Sequence, residues 1–110
     1  MPSQVVRFDS LRSLGFGSIS GTYAPVGGSF THQIRLVKFV NDTNADLTVS
    51  LDGTTDNDLV PAGGFALYDF TTNRVSTEGT FVFQPGTQVF VKGSPSSGTF
   101  YVTAVFGRGE

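Results

Sequence analysis

His32 is the one histidine of this 110-residue chain, so a Ser-His-Asp triad or a histidine general base would have to be built around it. It opens the segment His32-Gln-Ile-Arg-Leu-Val-Lys-Phe-Val-Asn41, and nothing nearby resembles a nucleophile elbow. A partly exposed residue at the start of a strand is the expectation. A carboxylate pair for glycoside hydrolysis would come from nine Asp and Glu residues. Glu78 sits in a Ser-Thr-Glu-Gly turn and Glu110 is the last residue, so neither has the apolar setting that raises the pKa of a catalytic acid. The densest group is Asp52-Gly-Thr-Thr-Asp-Asn-Asp58, where three carboxylates crowd one loop and offer the hard oxygen ligands that suit calcium. Its spacing departs from an EF-hand, which needs a central Gly and a closing Glu. The expectation is a solvated hairpin loop capped by the Asp-Gly turn. Gly15-Phe-Gly-Ser18 and Gly27-Gly-Ser29 lack the lysine or helix start of a phosphate loop. No catalytic residue, cofactor or metal ligand is expected.

The elements that carry these residues read as strands. Apolar residues at i, i+3, i+4 and i+7 do not persist over three turns anywhere, whereas short Val-, Phe-, Tyr- and Thr-rich segments are separated by Gly, Pro, Asn and Asp clusters. Leu47, Val49 and Leu51 alternate with Thr48, Ser50 and Asp52, and Phe100, Val102, Ala104 and Phe106 repeat the pattern. In the segment after His32 the alternation breaks, since Ile34 and Leu36 share one face and Val37 and Phe39 the other. A bulge shifts the phase there, or the strand is covered on both sides. Asp42-Thr-Asn-Ala45 predicts a hairpin across residues 41–46. Further strands are expected near 4–8, 21–26, 57–60, 65–70, 80–84 and 87–92, with turns at Pro61-Ala-Gly-Gly64, Gln84-Pro-Gly86 and Gly93-Ser-Pro-Ser-Ser-Gly98.

Seven to nine short strands without helical crossovers predict an all-β antiparallel sandwich, jelly-roll or immunoglobulin-like, ahead of a closed barrel. The length fits one domain over residues 1–110. The Gly/Ser-rich stretch from Ser13 to Ser29 has weak strand character, which makes residues 1–30 a candidate loosely packed arm or long loop region.

Composition narrows the function. A formal charge of −2 with scattered Arg and Lys lacks the basic footprint of a nucleic-acid binder. Zero cysteines exclude disulfides and thiolate chemistry. Met1-Pro-Ser-Gln-Val-Val-Arg7 does not read as a signal peptide, and no run approaches the ~20 apolar residues that span a bilayer, so a soluble protein made in the cytoplasm is expected, without a membrane partner. Charged residues make up only 15% of the chain, and 11 Phe and 3 Tyr exceed what one small core requires. Phe65, Tyr68 and Phe70 fall on both faces of one strand, so at least one lies outside the core the others share. With Arg74 they form the candidate subunit interface.

The motifs Arg12-Ser-Leu-Gly-Phe-Gly-Ser-Ile-Ser-Gly-x-Tyr23, Ser50-Leu-Asp-Gly-Thr-x-Asp56, Pro61-Ala-Gly-Gly-Phe-x-Leu-Tyr-Asp69, Thr71-Thr-Asn-Arg74, Gly86-Thr-Gln-Val-Phe-Val-Lys-Gly93 and Tyr101-Val-x-x-Val-Phe-Gly107 span nearly the whole chain. In them the chain resembles small β-rich virion structural proteins of tailed bacteriophages. The resemblance implies a non-enzymatic protein made in the cytoplasm of an infected bacterium and built into the virion in many copies. Its partners would be further copies of itself and other virion proteins, the major capsid protein among them. Capsid decoration, which cements the shell, is favoured over a neck or tail component. The alternative of another class is a carbohydrate- or receptor-binding β module using exposed aromatics and the Asp loop.

Overall fold

The computed structural model describes residues 4–69, 74–75, 79–80 and 85–109. Eleven strands are present among them: β1 (Gln4–Phe8), β2 (Arg12–Gly15), β3 (Ala24–Pro25), β4 (Ile34–Thr43), β5 (Leu47–Ser50), β6 (Asp58–Val60), β7 (Phe65–Asp69), β8 (Arg74–Val75), β9 (Gly79–Thr80), β10 (Phe90–Lys92) and β11 (Gly98–Gly109). The sole helical turn among the described residues is a 3-10 turn at Phe16–Ser18. Among the described residues, no helix is long and apolar enough to cross a membrane.

The chain is an all-β sandwich. Its larger sheet runs β1-β11-β4-β7, with β2 also pairing β11; the smaller runs β3-β10-β5-β6, and all pairings are antiparallel. The two apolar faces read from the sequence meet between the sheets. Phe100, Val102 and Ala104 of β11 and Leu47 and Val49 of β5 are fully buried, with Val37, Phe39, Val60 and Val91 beside them.

β4 settles the broken alternation as a bulge. Val105 pairs with Leu36 while Phe106 pairs with Ile34, so Arg35 is the extra residue. The slip lets Ile34 and Val37 both point inward, although they are three residues apart.

The turn after β4 exists, but the hairpin expected over residues 41–46 does not. β4 belongs to the larger sheet and β5 to the smaller, so the chain turns a corner between layers there. Alternation fixes which side chains face the core, but it is silent on whether two successive strands share a sheet. The corner is held by Asn41, whose side chain is wholly buried. Its Nδ2 donates to the carbonyls of Ala45 and Val60, both at 2.8 Å, while its Oδ1 accepts from the Thr43 amide at 3.0 Å and the Thr43 hydroxyl at 2.6 Å.

Much of the described segment before residue 30 is irregular and exposed, but parts of it are tied into the sandwich. β1 and β2 both pair with β11, and Ile19, Val26 and Phe30 are buried in the core. Arg12 ties β2 to the loop at 27–30: its guanidinium lies 4.3 Å from the Phe30 ring centroid, pairs with Asp9 at 3.2 Å, and donates from Nε to the Gly28 carbonyl at 3.0 Å. Short polar and Gly residues hid this, because their packing comes through backbone and one arginine rather than through an apolar stripe. Of the expected strand at 80–84, Gly79–Thr80 pairs with β8 and the rest lies outside the described residues.

Candidate functional site

The Asp-rich segment is the loop of the β5–β6 hairpin, in which Leu47 pairs with Val60 and Val49 with Asp58. Its three carboxylates turn to three separate sets of donors. Asp52 caps its own turn: Oδ1 accepts from the Thr54 amide at 2.9 Å, the Thr55 amide at 2.8 Å and the Ser50 hydroxyl at 2.8 Å, and Oδ2 from the Thr55 hydroxyl at 2.8 Å. These bonds, led by the Thr55 and Thr54 amides, hold its carboxyl well below the usual range. Gly53 completes the turn at φ +83°, a conformation that favours glycine.

Asp56 accepts from the Tyr23 hydroxyl and from Lys92, whose Nζ stands 3.2 Å away and 4.7 Å from the Tyr23 ring centroid. The tyrosine bond and then the lysine lower the Asp56 pKa. Partial burial, reinforced by the hydrogen bond to Asp56, pushes the Tyr23 hydroxyl up to about 12. Asp58 accepts from the Tyr68 hydroxyl and from the Leu59 amide. Each of the three carboxylates thus turns to its own protein donors rather than to a point shared with the other two. No group of three or more His, Asp or Glu arranged for a metal ion occurs among the described residues.

His32 lies just before β4, exposed, with its ring stacked at 3.8 Å and 5° on Phe106. Among the described residues no acid-base pair includes it. Its ring extends the apolar surface of Phe106 at the end of the larger sheet.

What the larger sheet leaves open is its outer face. Cross-strand pairing aligns Ser13, Tyr101, Val40 and Phe65 in one row over β2, β11, β4 and β7. The next row holds Thr103, Lys38 and Leu67, and the one beyond it Phe8, Val105, Leu36 and Asp69. Phe8, Phe65 and Leu67 are exposed by 73%, 67% and 52%. Nothing among the described residues covers this face, whereas the smaller sheet covers the opposite one.

The candidate interface residues divide accordingly. Phe65 is on the open face. Tyr68 points the other way, half-buried against the core with its ring edge-on to Phe39 at 5.7 Å. Arg74 lies in β8, where it pairs with Thr80, and Phe70 lies outside the described residues. Leu67 and Phe8 are the surface residues that sequence reasoning missed. The signal for Leu67 was its parity with Phe65, two apolar residues in step on the face that the core-facing Ala66 and Tyr68 leave outward.

No protein-family model and no curated protein sequence matches the chain. Among solved structures, the chain is similar to Bacillus endospore appendages, which form a family of disulfide-linked pili. That match is 14% identical at a TM-score of 0.50 and covers 96% of this chain and 89% of the other. A second likeness, at TM-score 0.40 and 14% identity, is to SPP1 Dit, a hub adsorption protein of phages infecting Gram-positive bacteria; it covers 92% of this chain and 49% of that one, about half its length. At such identities the first likeness speaks to the β-sandwich fold alone, and the second is too weak to add to it.

Proposed function

We propose that this chain is a non-enzymatic structural subunit of a tailed-phage virion that acts by packing against copies of itself and against other virion proteins. The favoured place is the outside of the capsid, as a decoration protein that cements the shell. The observation that supports this reading is the uncovered outer face of the larger sheet, where Phe8, Phe65 and Leu67 stand in solvent beside Val40, Leu36 and Tyr101. Large apolar side chains clustered on one exposed face mark a surface built to be covered by protein. The resemblance of its sequence motifs to those of small phage virion proteins supplies the setting. Because the chain has no cysteine, any assembly it makes is held by such contacts and not by disulfides. The network of Tyr23, Asp56 and Lys92 favours this reading over a carbohydrate-binding one: Lys92 lies across the Tyr23 ring and occupies the stacking surface a sugar would need.

The test is the location and copy number of the chain in purified particles, read by quantitative mass spectrometry and imaging. Many copies on the shell are expected. A few copies at the neck or tail would move the subunit there, and specific binding to cell-surface glycans by a chain absent from the shell would overturn the reading.

A further inference from the structure

We propose that the outer face of the larger sheet is a self-pairing surface: two copies pack face to face across a twofold axis along the Tyr101–Val40–Phe65 row, and each Lys38 lies over Asp42 of the second copy. This rests on the structural-subunit reading and names the partner of its exposed face. The geometry comes from the strand register. Tyr101, Val40 and Phe65 are direct cross-strand neighbours, while Lys38 with Thr103 lies one row to one side and Asp42 with Thr99 one row to the other. A twofold in the plane of the interface and perpendicular to the strands reverses strand direction. It therefore sets Val40 on Val40, Phe65 on Phe65 and Tyr101 on Tyr101, and it exchanges position 38 with 42 and position 103 with 99.

The charges fit this exchange. Lys38 and Asp42 carry opposite signs at positions the axis superposes, and neither has an ion pair or side-chain hydrogen bond among the described residues. A further charge on this face is Asp69, in the row beyond Leu67 on β7, while Lys92 with Asp56 and Arg12 with Asp9 form ion pairs elsewhere in the fold. Thr99 over Thr103 adds no charge to the pairing. Packed sheets stand about 10 Å apart and cross at about 30°. Positions 38 and 42 are about 7 Å from the axis, so the crossing displaces them by only about 3 to 4 Å, within reach of a lysine side chain.

The size fits as well. Four strands about 4.8 Å apart over the ten residues of β4 present roughly 600 Å² per copy, or about 1,200 Å² in total, the lower edge of a standard specific interface. Closed twofold pairing is also the commonest symmetry of protein self-association.

The experiment uses the whole purified chain, with molecular mass in solution read by sedimentation velocity over a concentration series. Wild type is expected to be dimeric. Lys38→Asp brings two carboxylates together at each of the paired positions, and Asp42→Lys brings two ammonium groups together there, so each variant alone is expected to dimerise more than about tenfold more weakly. Mixing the two variants sets carboxylate against carboxylate nowhere in the heterodimer: every superposed pair again joins opposite signs, and affinity is expected to return to near that of wild type. A wild type that stays monomeric at high concentration, single variants that dimerise like wild type, or a mixture that stays monomeric would each overturn the proposal. Circular dichroism of each variant confirms that folding is intact. Particle incorporation is measured separately, so a failure of the twofold is distinguishable from a failure of the virion role.

Discussion

At the scale of single residues, polar groups turn inward to hold the backbone. Asn41 satisfies two carbonyls and accepts two donors while wholly buried. Asn41→Ala removes the side-chain partner of the Val60 carbonyl and of the Thr43 amide and leaves the Ala45 carbonyl with the Thr43 hydroxyl alone, and each buried orphan costs on the order of 1 kcal/mol or more. A loss of about 3 kcal/mol in unfolding free energy is expected from urea denaturation, and a loss under about 1 kcal/mol would mean that the corner is held elsewhere. Asp52 makes a pH prediction. Its carboxyl is depressed in the folded state, so the charged loop stabilises the fold above the ordinary value of 3.8, and that stabilisation is lost as pH falls through the folded value. The stability difference between wild type and Asp52→Asn is therefore expected to be largest near neutrality and to shrink on acidification. A difference that stays constant from about pH 7 to about pH 2 would show that the loop bonds do not depend on the charge. The hairpin loop and its Asp-Gly cap were legible from spacing, but the donors that each carboxylate takes were not, because spacing leaves the direction of each carboxylate open.

At the scale of elements, what was legible was what period-2 alternation controls. Leu47, Val49 and Leu51 face the core, Leu51 less deeply, and Val49→Asp is expected to destabilise the sandwich by several kcal/mol, about 3 to 5, by burying an unpaired charge. Thermal unfolding near that of wild type would contradict the placement of β5. The bulge at Arg35 was one of two readings of a broken pattern, and pairing with β11 chose between them. What alternation left out was sheet membership, which put β4 and β5 in different layers, and a strand as short and polar as β2. Gly98 marks where β11 begins: its φ is +95°, and a Cβ there would collide with the Asp42 carbonyl. Gly98→Ala is therefore expected to cost about 2 kcal/mol or more, read as a lowered Tm, because the longest strand of the larger sheet must shift against β4. An unchanged Tm would show that this end of the ladder is free to give.

At the scale of the whole molecule, a 51 × 23 × 21 Å body offers long sheet faces, and the outer face of the larger sheet is left without an internal partner among the described residues. The excess of aromatics over one core was legible in the composition. Which of them are spare was not, because Phe65, Ala66, Leu67 and Tyr68 suit a strand of either phase until the neighbouring sheet is in place. That assignment sets the last prediction. Phe65→Ser combined with Leu67→Ser removes exposed apolar surface without disturbing the core, and is expected to leave Tm within a few degrees of wild type while reducing incorporation into particles. Tyr68→Ala is expected to act first on the fold, lowering Tm through lost packing on Phe39 and the lost bond to Asp58. His32→Ala, which removes only a stacked surface ring, is expected to change neither. The comparison is read by competing each variant against wild type for particle binding beside its melting curve. If the double serine variant incorporates normally and His32→Ala abolishes function in a folded, incorporated protein, the work of this chain lies in a reactive group and not on the open face of its sheet.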